Sequence, residues 1–145
     1  MKKQIELMNR YVANLALLNV KFHNLHWNVI GENFEQAHVY LEKLYDEVFN
    51  KYDEVAERIK MLGEFPKASI KEYMEISTIE ELEDKNVKVH EAFIEAQKEL
   101  KALKTLALTI RESANDNDDF VTVSLMEDHV GFYDKEIWFI ESAIR

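Results

Sequence analysis

The sequence predicts an all-α protein of one domain, residues 1–145, folded as a four-helix bundle with a short extra helix between the second and third long helices. Three observations predict it. Gly31, Gly63, Gly131 and Pro66 are the only glycines and proline, which disfavours a turn-rich β fold. Four long stretches carry apolar residues at helical spacing. One longer, less regular connection separates the second stretch from the third, as bundles with a long central connection require.

The first helix spans about 3–30, with Leu7, Tyr11, Leu15, Leu18 and Phe22 as its apolar stripe. Gly31 breaks it, and Asn33 is a candidate N-cap for the second helix, about 34–62. Gly63 as C-terminal cap and Pro66 beyond it close that helix. Residues 67–85 are less regular. The segment SIKEYMEI predicts a short helix, and Ser77 or Thr78 with Glu80 and Glu81 nearby predicts another helix start. The third long helix runs over about 86–113, with Val89, Phe93, Ala96, Leu100, Leu103, Ala107 and Ile110 on one side. ANDNDD breaks it, and a fourth follows over about 119–143. No repeat, low-complexity tract or interdomain linker is present.

Composition narrows function. No apolar run reaches membrane-span length, and MKKQIELMNRYV lacks the apolar stretch of a secretory signal. With no cysteine there is no disulfide and no thiolate metal site. These points fit a cytoplasmic location. The net charge of −10 repels DNA phosphates and attracts cations. Lys2, Lys3 and Arg10 are the only basic residues in the first twenty, too few for a basic arm.

The chemistry concentrates in FEQAHVYLEKLYDEVFNKYDEVAERI. His38 with Glu42, and Asp53 with Glu57, are i,i+4 pairs, each placing two metal-competent groups on one helical turn. The eleven-residue step from Glu42 to Asp53 is close to three whole turns, so both pairs point the same way, roughly 16 Å apart. Metal–ligand bonds of about 2 Å forbid one ion from using both pairs on one helix. The pairs share a midpoint, however. A second copy of this helix, antiparallel across a two-fold axis, sets His38 and Glu42 of one chain against Glu57 and Asp53 of the other. Two identical sites result, each built by two subunits. In a hairpin turning near residue 32, His26 falls opposite His38. The candidate ligands are then His26, His38 and Glu42 from one chain with Asp53 and Glu57 from its neighbour. Two imidazoles with carboxylates suit a divalent first-row metal, iron being the natural choice for redox work; geometry alone also admits manganese, zinc or cobalt.

HNLHWNVIG, then F-x-x-x-H-x-x-x-E, then DEVAER, and finally DKEIWFIESAIR resemble the Dps family of mini-ferritins, over essentially the whole domain. The resemblance implies a ferritin-like bundle assembled as a hollow dodecamer with tetrahedral symmetry. It implies ferroxidase sites at two-fold interfaces that oxidise Fe(II), usually with hydrogen peroxide, and ferric mineral stored inside. The family's ligand positions fall on His26, His38, Glu42, Asp53 and Glu57, the set selected by spacing. Three departures stand out. Glu42 occupies a position that is usually Asp, so its carboxylate sits about one C–C bond further out. The chain begins almost at its first helix, so the Lys/Arg-rich DNA-binding tail of many members is not expected, nor is DNA condensation. An acidic position of the family's iron-entry pore falls on Ser124, leaving Asp116, Asp118, Asp119, Glu127 and Asp128 as candidates for a negative funnel.

In this reading His26 and His38 anchor the metal, Glu42 completes their side, and Asp53 and Glu57 close the site, one of them bridging a second ion. Trp27 is either an interface packing residue or an oxidisable neighbour of the site. His23, one turn before His26, either orients a ligand or makes a structural hydrogen bond. His90 and His129 have no paired ligand pattern and read as structural or surface residues; Trp138 and Phe139 read as core or interface. Taken alone, each pair on α-helix 2 is an ordinary solvated face; the shared midpoint and His26 weigh against that. A di-iron site inside the bundle needs E-x-x-H on two helices. Only Glu35 and His38 fit, so that reading fails on ligand count. The competing readings are a nucleoid-binding structural protein, which the net charge opposes, and a helical scaffold or adhesin without iron chemistry.

Overall fold

The structure, a computed structural model, describes residues 1–145. Its elements are α1 (Lys2–Asn28), β1 (Val29–Ile30), α2 (Phe34–Met61), α3 (Ile70–Ile76), β2 (Val87–Lys88), α4 (Val89–Asp116) and α5 (Phe120–Ile144). The expected four long helices and the short extra one are all present. α1 packs chiefly on α2 and α4 on α5, and α1 also meets α4 and α3.

The α1–α2 hairpin turns through Gly31, at φ 113°, and Asn33, at φ 64°. Glycine carries the first without a side-chain penalty. Asn33 occupies the N-cap position as expected, but its side chain makes no cap bond; its backbone carbonyl accepts from Ala37 N–H instead. At the other end Gly63 takes φ 85°, and the N–H groups of Gly63 and Glu64 close on the carbonyls of Lys60 and Ile59, terminating α2.

The core is one apolar cluster. Tyr11, Leu15, Leu18 and Phe22 of α1 are buried, with Leu41, Leu44, Val55 and Ile59 of α2 and the whole Phe93–Ile110 stripe of α4. Burying a side chain of this size stabilises by about 1.5–3 kcal/mol, so these stripes dictate which faces meet.

The connection from α2 to α4 departs from expectation in one respect. Ser69 caps α3, its Oγ accepting from Glu72 N–H, but no second helix starts at Ser77 or Thr78. The buried Asn14 side chain holds that segment extended: Asn14 Oδ1 accepts from Ser77 Oγ and Thr78 N–H, and Asn14 Nδ2 donates to Thr78 Oγ1. The chain then follows α1, with the Lys21 ammonium on the Glu80 carbonyl at 2.8 Å. Val29 and Ile30 finally pair in parallel with Val87 and Lys88. Residues 67–88 thus travel the length of α1, from Asn9 to Val29. This long crossover starts α4 at the end of the bundle where α2 began. The two-residue parallel pairing has no signal in the sequence; it is a by-product of that path. α4 starts three residues later than expected and persists to Asp116, through the first part of ANDNDD. No helix is long and apolar enough to cross a membrane.

Candidate metal centre

His26 lies in the last turn of α1 and His38 near the start of α2, and the hairpin sets their rings face to face, 3.6 Å between centroids at 14°. Each Nδ1–H donates to the other residue's backbone carbonyl, His26 to His38 at 2.6 Å and His38 to His26 at 2.7 Å. A carbonyl can only accept, so Nδ1 carries the proton in both rings. Neither Nε2 is engaged by a hydrogen bond within the chain, which leaves that atom of each ring as the one able to bind a metal. Such second bonds fix ring orientation in metal-binding histidines.

Glu42, one turn beyond His38, is exposed and accepts weakly from the Tyr45 hydroxyl at 3.3 Å. Tyr45 was not evident from the sequence. Its ring stacks on His23 (3.6 Å, 17°) and meets His26 edge-on (5.2 Å, 86°). It thereby joins three residues that the sequence singled out separately. The only prior signal was its place three residues after Glu42 on α2. The His23 Nδ1–H donates to the Asn19 carbonyl at 2.6 Å. His23 thus supports Tyr45 rather than bonding a candidate ligand directly. Trp27, beside His23, is 69% exposed.

Asp53 and Glu57 lie further along α2, exposed, and no hydrogen bond or ion pair within the chain engages either carboxylate. Asp46 and Phe49 lie between Glu42 and Asp53 on the same face. Phe49 is 55% exposed, an aromatic ring in water amid carboxylates. Within one chain no three His, Asp or Glu side chains converge as a metal-holding group. His26 and His38 face each other across the hairpin, and Asp53 and Glu57 lie apart from them, further along α2.

The candidate pore acids divide. Asp116, Asp118 and Asp128 are exposed, as is Ser124. Glu127 is ion-paired with Arg111 at 3.1 Å. Asp119 is different in kind: it is buried, caps α5 through Thr122 N–H, and accepts from Gln4 and Arg58, each at 2.7 Å. Burial alone would raise its pKa, but the donors from Thr122, Gln4 and Arg58 outweigh it and hold the carboxyl at about 2. Asp119 is an internal anchor rather than a pore-lining acid.

His129, read from sequence as structural or surface, is fully buried. Its Nε2 lies 2.6 Å from Glu54 and its Nδ1 2.9 Å from the Tyr11 hydroxyl, which also touches the Tyr133 hydroxyl. Burial pushes its pKa below the ordinary 6.5, against the opposing pull of Glu54. His90 is exposed. A cleft of about 590 Å³ opens elsewhere on α2, lined by Ala37, Tyr40, Phe93, Phe139 and Ile144 and by none of the five candidate ligands. Phe139 and Trp138 are exposed rather than core.

The comparisons agree with this architecture. The ferritin-like domain family matches residues 5–145. DNA protection during starvation protein 2 of Bacillus anthracis is 35% identical over 148 residues, covering 99% of this chain and 98% of that one. The crystal structure of antigen TpF1 from Treponema pallidum superimposes with a TM-score of 0.97 at 30% identity, covering 99% of this chain and 92% of that one. That of a Dps protein from Bacillus brevis gives 0.95 at 30% identity, covering 99% and 96%. The chain belongs to the ferritin-like proteins and, among them, to the Dps family.

Proposed function

We propose that this protein is an iron-storing, iron-detoxifying ferroxidase. In this reading it assembles as a hollow dodecamer, oxidises Fe(II) to Fe(III) with hydrogen peroxide at sites shared by two subunits, and retains the ferric product inside. The observation that carries the reading is the reciprocal His26–His38 bonding. It leaves both Nε2 atoms free, with Glu42 one turn beyond His38, while Asp53 and Glu57 stand unpaired on the same face of α2. Phe49 supports the two-fold contact, since an exposed ring midway along that face is covered when two α2 helices cross antiparallel.

Fe(II) is the substrate. His26 and His38 hold it through Nε2, and Glu42 adds a carboxylate. The partner's α2 brings the second pair of carboxylates, one of which bridges to a second ion. Carboxylates stabilise Fe(III) more than Fe(II) and so favour electron loss after binding. Tyr45, bonded to Glu42 and packed on His26, limits the swing of the longer Glu42 side chain. Exposed Asp116, Asp118 and Asp128 supply negative potential for iron entry. The net charge of −10 favours protection by consuming iron and peroxide over protection by coating DNA.

The test is anaerobic loading of purified protein with Fe(II), then stoichiometric peroxide, following ferric absorbance and whether iron elutes with protein. Fast oxidation with soluble, protein-bound ferric iron is expected. Oxidation no faster than buffer, with iron precipitating, rejects the ferroxidase reading.

A further inference from the structure

Away from the candidate metal centre, the bundle interior holds a second line of ionisable groups. Tyr11 of α1 and Tyr133 and His129 of α5 are each fully buried. His129 Nε2 faces Glu54 at 2.6 Å, and a carboxylate accepts, so Nε2 carries the ring proton. Burial keeps the imidazole neutral near pH 7, which makes Nδ1 an acceptor. The Tyr11 hydroxyl, 2.9 Å away, donates to it. The oxygen of Tyr11 then accepts from the Tyr133 hydroxyl, with which it is in direct contact. One direction satisfies every group: Tyr133 to Tyr11, Tyr11 to His129, His129 to Glu54.

This arrangement distinguishes two reactions of Tyr11. Burial, and then Tyr133, raise its pKa well above the ordinary value, so loss of a proton alone to give a buried phenolate is opposed. Loss of an electron together with the proton leaves a neutral phenoxyl group. The proton has a base within one hydrogen bond, and the resulting imidazolium lies against the Glu54 carboxylate.

We infer that Tyr11, hydrogen-bonded between Tyr133 and His129, is an internal one-electron donor whose proton passes to His129 Nδ1 when its electron leaves. For its physiological oxidant this rests on the ferroxidase reading above. When a single Fe(II) reduces hydrogen peroxide, it yields Fe(III), hydroxide and an oxidant of the hydroxyl-radical class. That oxidant takes one electron, ultimately from Tyr11, and a proton from solvent, and becomes water. The Tyr11 O–H bond breaks and the proton stays on His129. A second Fe(II) later returns the electron, becoming Fe(III), and His129 returns the proton. The sum is two Fe(II) oxidised per peroxide reduced to water, with no radical left in solution. The relay meets the surface at Glu54, which directly follows Asp53 on α2 and is 53% exposed. Tyr133 holds the Tyr11 oxygen and is a positioning residue.

The experiment has a metal-free arm and an iron arm, both on the assembled protein. In the first, azidyl radical generated by pulse radiolysis oxidises the exposed Trp27 and Trp138, and conversion of tryptophan radical to phenoxyl radical is followed optically. In the second, Fe(II)-loaded protein receives peroxide and is freeze-quenched for electron paramagnetic resonance. Wild type is expected to give a phenoxyl signal in both arms. Tyr11→Phe, which removes only a hydroxyl, is expected to lose it in both arms. Tyr133→Phe is expected to keep the radical with a shifted g-tensor, because its oxygen has lost one hydrogen bond. A phenoxyl yield in Tyr11→Phe equal to wild type overturns the inference, as does absence of the radical from wild type in the metal-free arm. Should Tyr11→Phe not assemble, an unshifted g-tensor in Tyr133→Phe overturns it instead. Phenoxyl formation in the metal-free arm without any iron oxidation supports the donor and rejects only the ferroxidase reading.

Discussion

Sharing one site between two chains has a quantitative consequence in mixed assemblies. In the proposed assembly each two-fold contact would hold two sites, each taking His26, His38 and Glu42 from one chain and Asp53 and Glu57 from the other. Subunits carrying His38→Ala lack an anchoring imidazole at every site, and subunits carrying Asp53→Ala lack a closing carboxylate, so homogeneous shells of either lose most oxidation. Now let the two be co-assembled in equal amounts at random. Half of the contacts pair unlike subunits, and in those one site contains both lesions while the other contains neither. Half of half leaves about one quarter of the wild-type sites intact. The assay is peroxide-dependent ferric absorbance at matched protein and iron, with shell composition verified by native mass spectrometry. Regain of about one quarter of the wild-type rate is expected. Verified mixed shells no more active than either parent would refute the sharing argument and assign each site to a single chain. Substantial activity in either homogeneous variant would refute the ligand assignment itself.

Phe49→Glu places a fifth carboxylate at the centre of an already acidic α2 face. It is expected to weaken the two-fold contact, seen as smaller species in sedimentation velocity together with slower Fe(II) oxidation. Asp119→Asn keeps an N-capping side chain but removes a charge that Arg58 and the other donors favour. A folded pKa of about 2 against an ordinary 3.8 corresponds to about 2 kcal/mol in this 6%-exposed side chain. Because the folded value is depressed, that stability is present above about pH 4 and disappears as pH falls through 2. Thermal unfolding of the variant should come about 4–8 °C lower at pH 7, with the gap closing towards pH 2; a gap independent of pH contradicts the ionic account. Asn14→Ala leaves Ser77 and Thr78 without their acceptor and should cost about 1–3 kcal/mol. Limited proteolysis should then cut first between α3 and β2, and unchanged resistance there would show that Asn14 does not hold the crossover.

The amino-acid sequence by itself determined what depends on local periodicity. The apolar stripes of α1 and α4 and the stops at Gly31, Gly63 and Pro66 follow from spacing and turn chemistry, which act within a few residues. The facing of His26 and His38 was equally legible, since a tight hairpin between two long helices sets residues equidistant from its turn opposite each other. What only the tertiary structure decided lies between segments far apart in the chain. Ser77 and Thr78 resemble a helix start, yet Asn14, sixty-odd residues earlier, supplies better partners and keeps them extended. Asp119 sits in an acidic run that reads as a candidate negative funnel, but Gln4 and Arg58 draw it inside. His129 has no ligand at helical spacing, and its partners Tyr11 and Glu54 come from two other helices. In each case the side chain's role was set by which distant donor or acceptor the packed bundle brought within about 3 Å, a relation that no local pattern encodes.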